Sequence, residues 1–260
     1  MYTFDLLHNL YEPLQPDVRE SFLRADGSEL NGDPSKMQAL HSSSALGVNV
    51  FQYWHRINEV SAIAAACGFC KEGSTTPQKI VFEDKYPIDS RFRFAPNIDI
   101  VFHNTDSSQV KRFAVECKFS EAYGSQGHDG LKEQYLNLSD IWDDLPNTHG
   151  LAKRLRSAEK GPTAPDPRFT YLHAAQLIKH ILGLKTKFGK DGFRLLYLWY
   201  DVPGEEGQSH RKEIETFSDI VQEDSVKFHS ITYQELIIIM ADRHRLNHSG
   251  YVEYLTARYL

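Results

Sequence analysis

The sequence predicts an α/β fold, a mixed central sheet with a three-strand meander plus further strands, flanked by helices. Three observations predict it. Residues 78–87 (QKIVFEDKYP), 97–102 (NIDIVF) and 111–119 (KRFAVECKF) follow one another as strand segments, the last two joined by the polar turn HNTDSSQ. Residues 193–200 (FRLLYLWY) are nearly all apolar, as in a strand covered on both faces. Helical periodicity brackets these strands, giving the order helix, three strands, helices, strand, helix, strand, helix.

Each element has its own signal. Residues 1–41 hold a short apolar stretch followed by Asp, Gly and Pro punctuation, and read as a loosely structured N-terminal lead-in. Residues 42–260 read as a single domain. Ser42 or Ser43 can cap a long helix, with Leu46, Val50, Phe51, Trp54, Ile57, Val60 and Ala64 at helical spacing. That helix is expected to run to Cys67 and Gly68. Beyond the meander, residues 131–142 are ambiguous and 151–160 are basic. Residues 171–188 form an amphipathic helix with Leu177, Ile181, Leu184 and Phe188 on one stripe. Residues 209–221 and 233–243 are helical, with a strand at 226–232 between them.

The bulk numbers set limits on function. The 260 residues are 41% hydrophobic and 25% charged, an ordinary globular balance. No apolar run approaches the roughly 20 residues of a membrane helix, and the N-terminus lacks a basic leader region. Three cysteines do not form a disulfide framework, so a cytoplasmic location is expected. The net charge of −6 counts against a passive nucleic-acid binder. Basic clusters survive within it: Lys153, Arg154, Arg156 and Lys160; Lys179, Lys185, Lys187 and Lys190; and Arg243, His244 and Arg245. Solvated helix faces are the plainer reading of each.

The chemistry concentrates in two strands. Strand alternation sets Phe113, Val115, Cys117 and Phe119 on one face and Ala114, Glu116 and Lys118 on the other. In NIDIVF, Ile98, Ile100 and Phe102 share a face and leave Asp99 and Val101 opposite. If the two strands pair through the polar turn, Asp99 comes beside Glu116. Two close carboxylates repel unless neutralised, and a hard cation such as Mg²⁺ neutralises them while keeping waters for a phosphate. A lysine there can orient the attacking water or stabilise the charge that builds up. Asp99, Glu116 and Lys118 are therefore a sufficient set for phosphodiester hydrolysis. The acid-x-lysine triplet itself carries almost no weight, since chance supplies it about twice in this composition. It occurs at Glu83-Asp84-Lys85 as well as at Glu116. The alternative to an active site is a salt bridge on a solvated sheet face.

Asp99, with sixteen residues between it and Glu116-Cys117-Lys118, in this element order, resembles the PD-(D/E)xK nuclease superfamily over residues 42–235. The sequence departs from that pattern at Ile98, which stands before the aspartate; the nearest proline is Pro96. The resemblance implies a restriction-endonuclease-like core. It implies metal binding by Asp99, Glu116 and the carbonyl of Cys117, with Mg²⁺ or Mn²⁺ as the cofactor and Lys118 assisting the water. It adds Glu59 and Glu83 as candidate supporting acids, and Gln176, four residues before His180, as a helix residue at the site. The function expected is restriction-like endonuclease cleavage of DNA in prokaryotic defence or DNA processing, with a homodimer as the natural route to cutting both strands. The rival is a catalytically inactive nuclease fold used as a nucleic-acid-binding or assembly module. A third reading, a thiol oxidoreductase using Cys67-Gly68-Phe69-Cys70, requires lowered thiol pKa values.

Overall fold

The three consecutive strand segments pair as a meander. In the computed structural model, which describes residues 1–124, 130–156 and 168–260, β1 (Pro77–Lys85) pairs antiparallel with β2 (Asn97–Asn104), and β2 pairs antiparallel with β3 (Arg112–Lys118). β4 (Phe193–Trp199) lies parallel to β3, and β5 (Phe228–Thr232) lies parallel to β4. The described residues thus form a five-stranded mixed sheet in the order β1-β2-β3-β4-β5, the predicted fold class. Parallel neighbours need long crossovers, and helices supply them here.

Three helices precede the sheet: α1 (Pro16–Arg24), α2 (Ser43–Arg56) and α3 (Val60–Ala66). Between β3 and β4 come α4 (Glu133–Leu136), α5 (Ser139–Trp142), α6 (Pro146–Arg154) and α7 (Ala174–Phe188). α8 (Glu205–Glu223) links β4 to β5, and α9 (Tyr233–His244) and α10 (Ser249–Tyr259) close the chain. No helix among the described residues is long and apolar enough to cross a membrane.

Two cores sandwich the sheet. Phe82, Ile100, Phe102, Phe113, Val115, Leu196 and Leu198 pack with α1, α2, α3, α9 and α10. Val101, Ala114, Leu195, Tyr197 and Trp199 pack with α6, α7 and α8 on the other side. β4 contributes to both cores, which is why its sequence is almost continuously apolar. Lys160 and part of the basic stretch at 151–160 lie outside the described residues.

The structure corrects three expectations. The long helix from Ser42 is two helices: the Ser42 hydroxyl caps α2 by accepting from Ala45 N–H at 3.1 Å, but the chain breaks at Asn58, whose φ is +59°. Asn tolerates that left-handed conformation, and the apolar spacing resumes in α3, so periodicity alone runs through the break. Residues 1–41 are less loose than expected. Val18 and Phe22 of α1, with Leu10 and Met37, enter the α2-side core, and the buried Asn9 amide donates to the carbonyls of Met37 and Ala39 at 2.7 and 2.9 Å. The polar punctuation ties this segment down. α10 was not anticipated, yet it buries Tyr251, Val252 and Leu255.

Gly183 explains how closely α7 approaches β1. A Cβ at this helical position would stand 2.4 Å from the Tyr86 carbonyl oxygen, a backbone atom that cannot swing aside. Gly183→Ala should lower the thermal midpoint, although alanine is the better helix former by about 1 kcal/mol. Overpacking of this kind costs about 1–3 kcal/mol; an unchanged or raised midpoint in a thermal melt would show that the contact relaxes freely.

Candidate active site

The sheet forks where its acids lie. The β1–β2 ladder continues through Asp84–Ile98 to Lys85–Asn97. The β3–β4 ladder continues through Glu116–Tyr197 to Lys118–Trp199. Pairing between β2 and β3, however, ends at Ile100–Val115. Beyond that point β2 stays with β1 and β3 stays with β4. Glu83, Asn97 and Asp99 stand on one arm of the fork, and Glu116 and Lys118 on the other.

Asp99 bridges the two arms. Its Oδ2 accepts from the Cys117 backbone N–H at 2.7 Å, tying strands whose main chains no longer pair. The alternation expected along residues 97–102 breaks at this residue: Ile100 and Phe102 enter the α2-side core, whereas Ile98 enters the α7-side core. A side chain turned toward the neighbouring strand cannot also keep the regular face alternation. Across from it, Glu83 sits in β1 with φ +53°, between the paired residues Phe82 and Asp84. A non-glycine residue in that conformation is strained, here beside the acids.

Glu116 is fully buried and doubly held. Its Oε2 lies 2.8 Å from Nε2 of His180, itself buried on α7. Its Oε1 lies 2.8 Å from Lys118 Nζ, in ion-pair contact but without hydrogen-bond alignment. Burial opposes its charge, but Lys118 and His180 outweigh burial and bring the carboxyl down to about 2. Asp99 goes the other way. Burial, then the charges of Glu116 and Glu83, push it well above the carboxylate range, because one backbone N–H compensates it less than Lys118 and His180 together compensate Glu116. Burial and the Glu116 charge likewise raise Glu83 to about 7, against the hydrogen bond it accepts from Asn97 Nδ2 at 3.3 Å. Burial disfavours the Lys118 ammonium, yet Glu116, Asp99 and Glu121 raise its pKa above the ordinary lysine value.

Asp99, Glu83 and Glu116 lie close enough for the charge of one to raise the pKa of another, and their oxygens are hard donors. Among the described residues no three His, Cys, Asp or Glu side chains gather as a metal cage. A hard divalent ion needs less: one or two carboxylates suffice when it keeps its waters. Asp99, Glu116 and Glu83 supply carboxylate oxygens there, Glu116 Oε1 already in contact with the Lys118 ammonium. That donor set fits Mg²⁺ or Mn²⁺.

The fork brings together Asp99, Glu116, Lys118 and Glu83. Cys117 contributes its backbone there, while its thiol points into the α2-side core, 3.7 Å from where a Cβ on Gly47 would stand. Gln176 lines a cleft beside the fork together with His180 and Asn97. Glu59 does not join. It precedes α3, and its carboxylate lies 3.5 Å from His248 Nε2. His180, noted in the sequence only as the helix residue four places after Gln176, is the site residue not predicted there. Its signal was a polar side chain on the buried stripe of a helix. Lys185 and Lys190 both turn to Asp144, at 2.8 and 3.6 Å, as a solvated helix face would. Cys67 and Cys70 carry free thiols that burial pushes up, the reverse of what a redox pair requires.

A family model described as restriction endonuclease associating with ARP matches residues 2–260. No curated protein and no solved structure matches the chain. With a match over nearly its whole length, the chain belongs to the family described as restriction endonuclease associating with ARP, and its fold is restriction-endonuclease-like.

Proposed function

We propose that this chain is a metal-dependent endonuclease that hydrolyses phosphodiester bonds of DNA, in prokaryotic defence or DNA processing. The observation that carries the reading is the sheet fork, where Asp99 spans to the Cys117 N–H and Glu116 and Lys118 project from the opposing arm. Asp99, Glu116 and the Cys117 carbonyl would hold Mg²⁺, or Mn²⁺ in its place. When bound, such an ion polarises the phosphodiester and lowers the pKa of a coordinated water.

The chain's own residues do the rest. His180 fixes the Glu116 carboxylate through Oε2, so the other oxygen faces Lys118. The Lys118 ammonium, kept charged by the acids around it, can donate to the attacking water or to a phosphate oxygen, where charge builds up in the transition state. Glu83 stands by as a further acid on the β1 arm. One such centre cuts one strand, so paired copies would cut a duplex, and the family's description makes ARP a candidate partner for target choice.

The engaged oxygens favour one rival: with Glu116 held by Lys118 and His180, and Asp99 held by Cys117, the fold could serve as a non-catalytic DNA-binding module. Plasmid nicking separates the two. Wild type should nick supercoiled plasmid with Mg²⁺ and stop in EDTA, and Asp99→Ala should lose roughly 10²-fold or more, on the scale of removing a main electrostatic contributor. Equal activity in wild type, Asp99→Ala and EDTA would sink the proposal; DNA binding without turnover would select the module.

A further inference from the structure

A cleft of about 360 Å³ lies against the fork and shares two residues with it, Asn97 and His180. Asn97 touches Glu83 and His180 touches Glu116, so whatever fills the cleft sits next to the reacting phosphate. Resting on the nuclease reading above, we propose that this cleft receives an unpaired nucleobase of the DNA strand being cut, stacked on Phe94.

The wall chemistry suits a base. Phe94 is 58% exposed, and the Arg93 guanidinium lies 5.0 Å from its ring centroid. It belongs to the RFRF segment (residues 91–94) between β1 and β2. An exposed aromatic with an arginine on it is the combination with which proteins hold single strands, because every base offers a π-face. Tyr135 forms a second aromatic wall, with Lys179 Nζ 5.8 Å from its ring centroid. Asn97 and Gln176 add side-chain amides, each a donor and acceptor pair matched to a base edge. Asn97 Oδ1 and His180 Nδ1 are buried without a hydrogen-bond partner among the described residues. The acid in the wall, Asp26, is paired with Lys85 at 2.9 Å, which softens its repulsion of a phosphate strand.

The cleft is of a size for one base, at the small end of organic-ligand pockets, and stacking on Phe94 needs a base whose π-face is free of its neighbours in the strand. A base must therefore be unpaired already or leave the stack, which costs least where pairing is weak or absent. The chain would prefer single-stranded, mismatched or gapped DNA at the cut.

The test uses the full chain in EDTA at low ionic strength, where binding is read without cleavage. Fluorescence anisotropy would compare a labelled single strand with the fully paired duplex of the same sequence. Wild type should bind the single strand at least about tenfold tighter; Phe94→Ala should lose about tenfold on the single strand and nothing on the duplex, the scale of one base–aromatic stack. Phe94→Trp should retain the preference and show indole quenching by the single strand beyond that of wild type. Equal affinity of wild type and Phe94→Ala for the single strand, or no added quenching in Phe94→Trp, would overturn the pocket. That result with Mg²⁺-dependent nicking intact would discard the pocket and keep the nuclease; strand preference lost in Phe94→Ala, without nicking in wild type, would do the reverse.

Discussion

Lys118→Met should abolish plasmid nicking, a fall of roughly 10²–10³-fold or more, and should destabilise the fold by about 3 kcal/mol. The two effects share one cause. Lys118 Nζ lies 2.8 Å from Glu116 Oε1, among acids that burial and mutual repulsion already strain. Removing the ammonium leaves Glu116 buried with His180 as its remaining partner. Breaking one side of a buried ion pair costs about 3–5 kcal/mol, and the lower end applies because the lysine side chain keeps 18% exposure. Glu116→Gln in the same background removes the stranded charge while keeping a group that can meet His180. The double variant should therefore regain much of the loss, with a coupling of about 1–3 kcal/mol in urea unfolding, though activity stays absent. If the two single-variant costs add to within about 0.5 kcal/mol, the contact is too weakly coupled to organise the site. If Lys118→Met nicks at the wild-type rate, the lysine has no part in the chemistry.

How much of this could be seen in the sequence depends on range. Glu116 and Lys118 are two residues apart in a strand, so alternation fixes their common side without tertiary information. The hairpin placing Asp99 near them also shows, because a polar turn joins two short apolar segments. The fork does not show. It arises because β2 follows β1 past Ile100 while β3 follows β4 past Val115, a competition between pairings that no single strand encodes. Strict alternation accordingly misplaced Ile98. His180 lies 64 residues from Glu116 and meets it only once α7 crosses the sheet. Its position beside Leu177, Ile178 and Ile181 on the buried side of the helix was the local hint, since a polar group there needs a partner. Glu59 failed for the complementary reason: expected along one continuous helix, it falls at the Asn58 break and turns outward. The apolar pattern of α2 and α3 is nearly indifferent to that break, whereas the position of every polar residue near it is not.

Trp54→Ala should be the most destabilising truncation in the α2-side core, at about 3–5 kcal/mol. The indole is fully buried and its Nε1 donates to the Tyr251 hydroxyl at 3.2 Å. His244, His248 and Tyr251 surround it edge-on, with ring centroids at 4.9, 4.9 and 5.9 Å. The side chain thus joins α2 to both C-terminal helices, and α2 in turn backs the strand that carries Glu116: a Cβ at Gly47 would stand 3.7 Å from Cys117 Sγ. Truncation opens a cavity too large to collapse without moving α10, and it strips one partner from a buried hydroxyl. Tyr251→Phe should cost less, about 1–3 kcal/mol. That hydroxyl donates to the Val50 carbonyl at 2.7 Å and accepts from Trp54, so both groups lose a partner while the packing stays filled. For a chain of this size 1 kcal/mol moves the midpoint by roughly 2–4 °C, so Trp54→Ala should melt about 10 °C below wild type. Phe94→Ala, at an exposed ring, should leave the midpoint within a degree or two. Were Trp54→Ala to melt no lower than Phe94→Ala, the C-terminal helices would not be anchored through α2. The α2-side support of the acid-bearing strand would then have to come from α9, whose Tyr233, Leu236 and Ile237 occupy the same core.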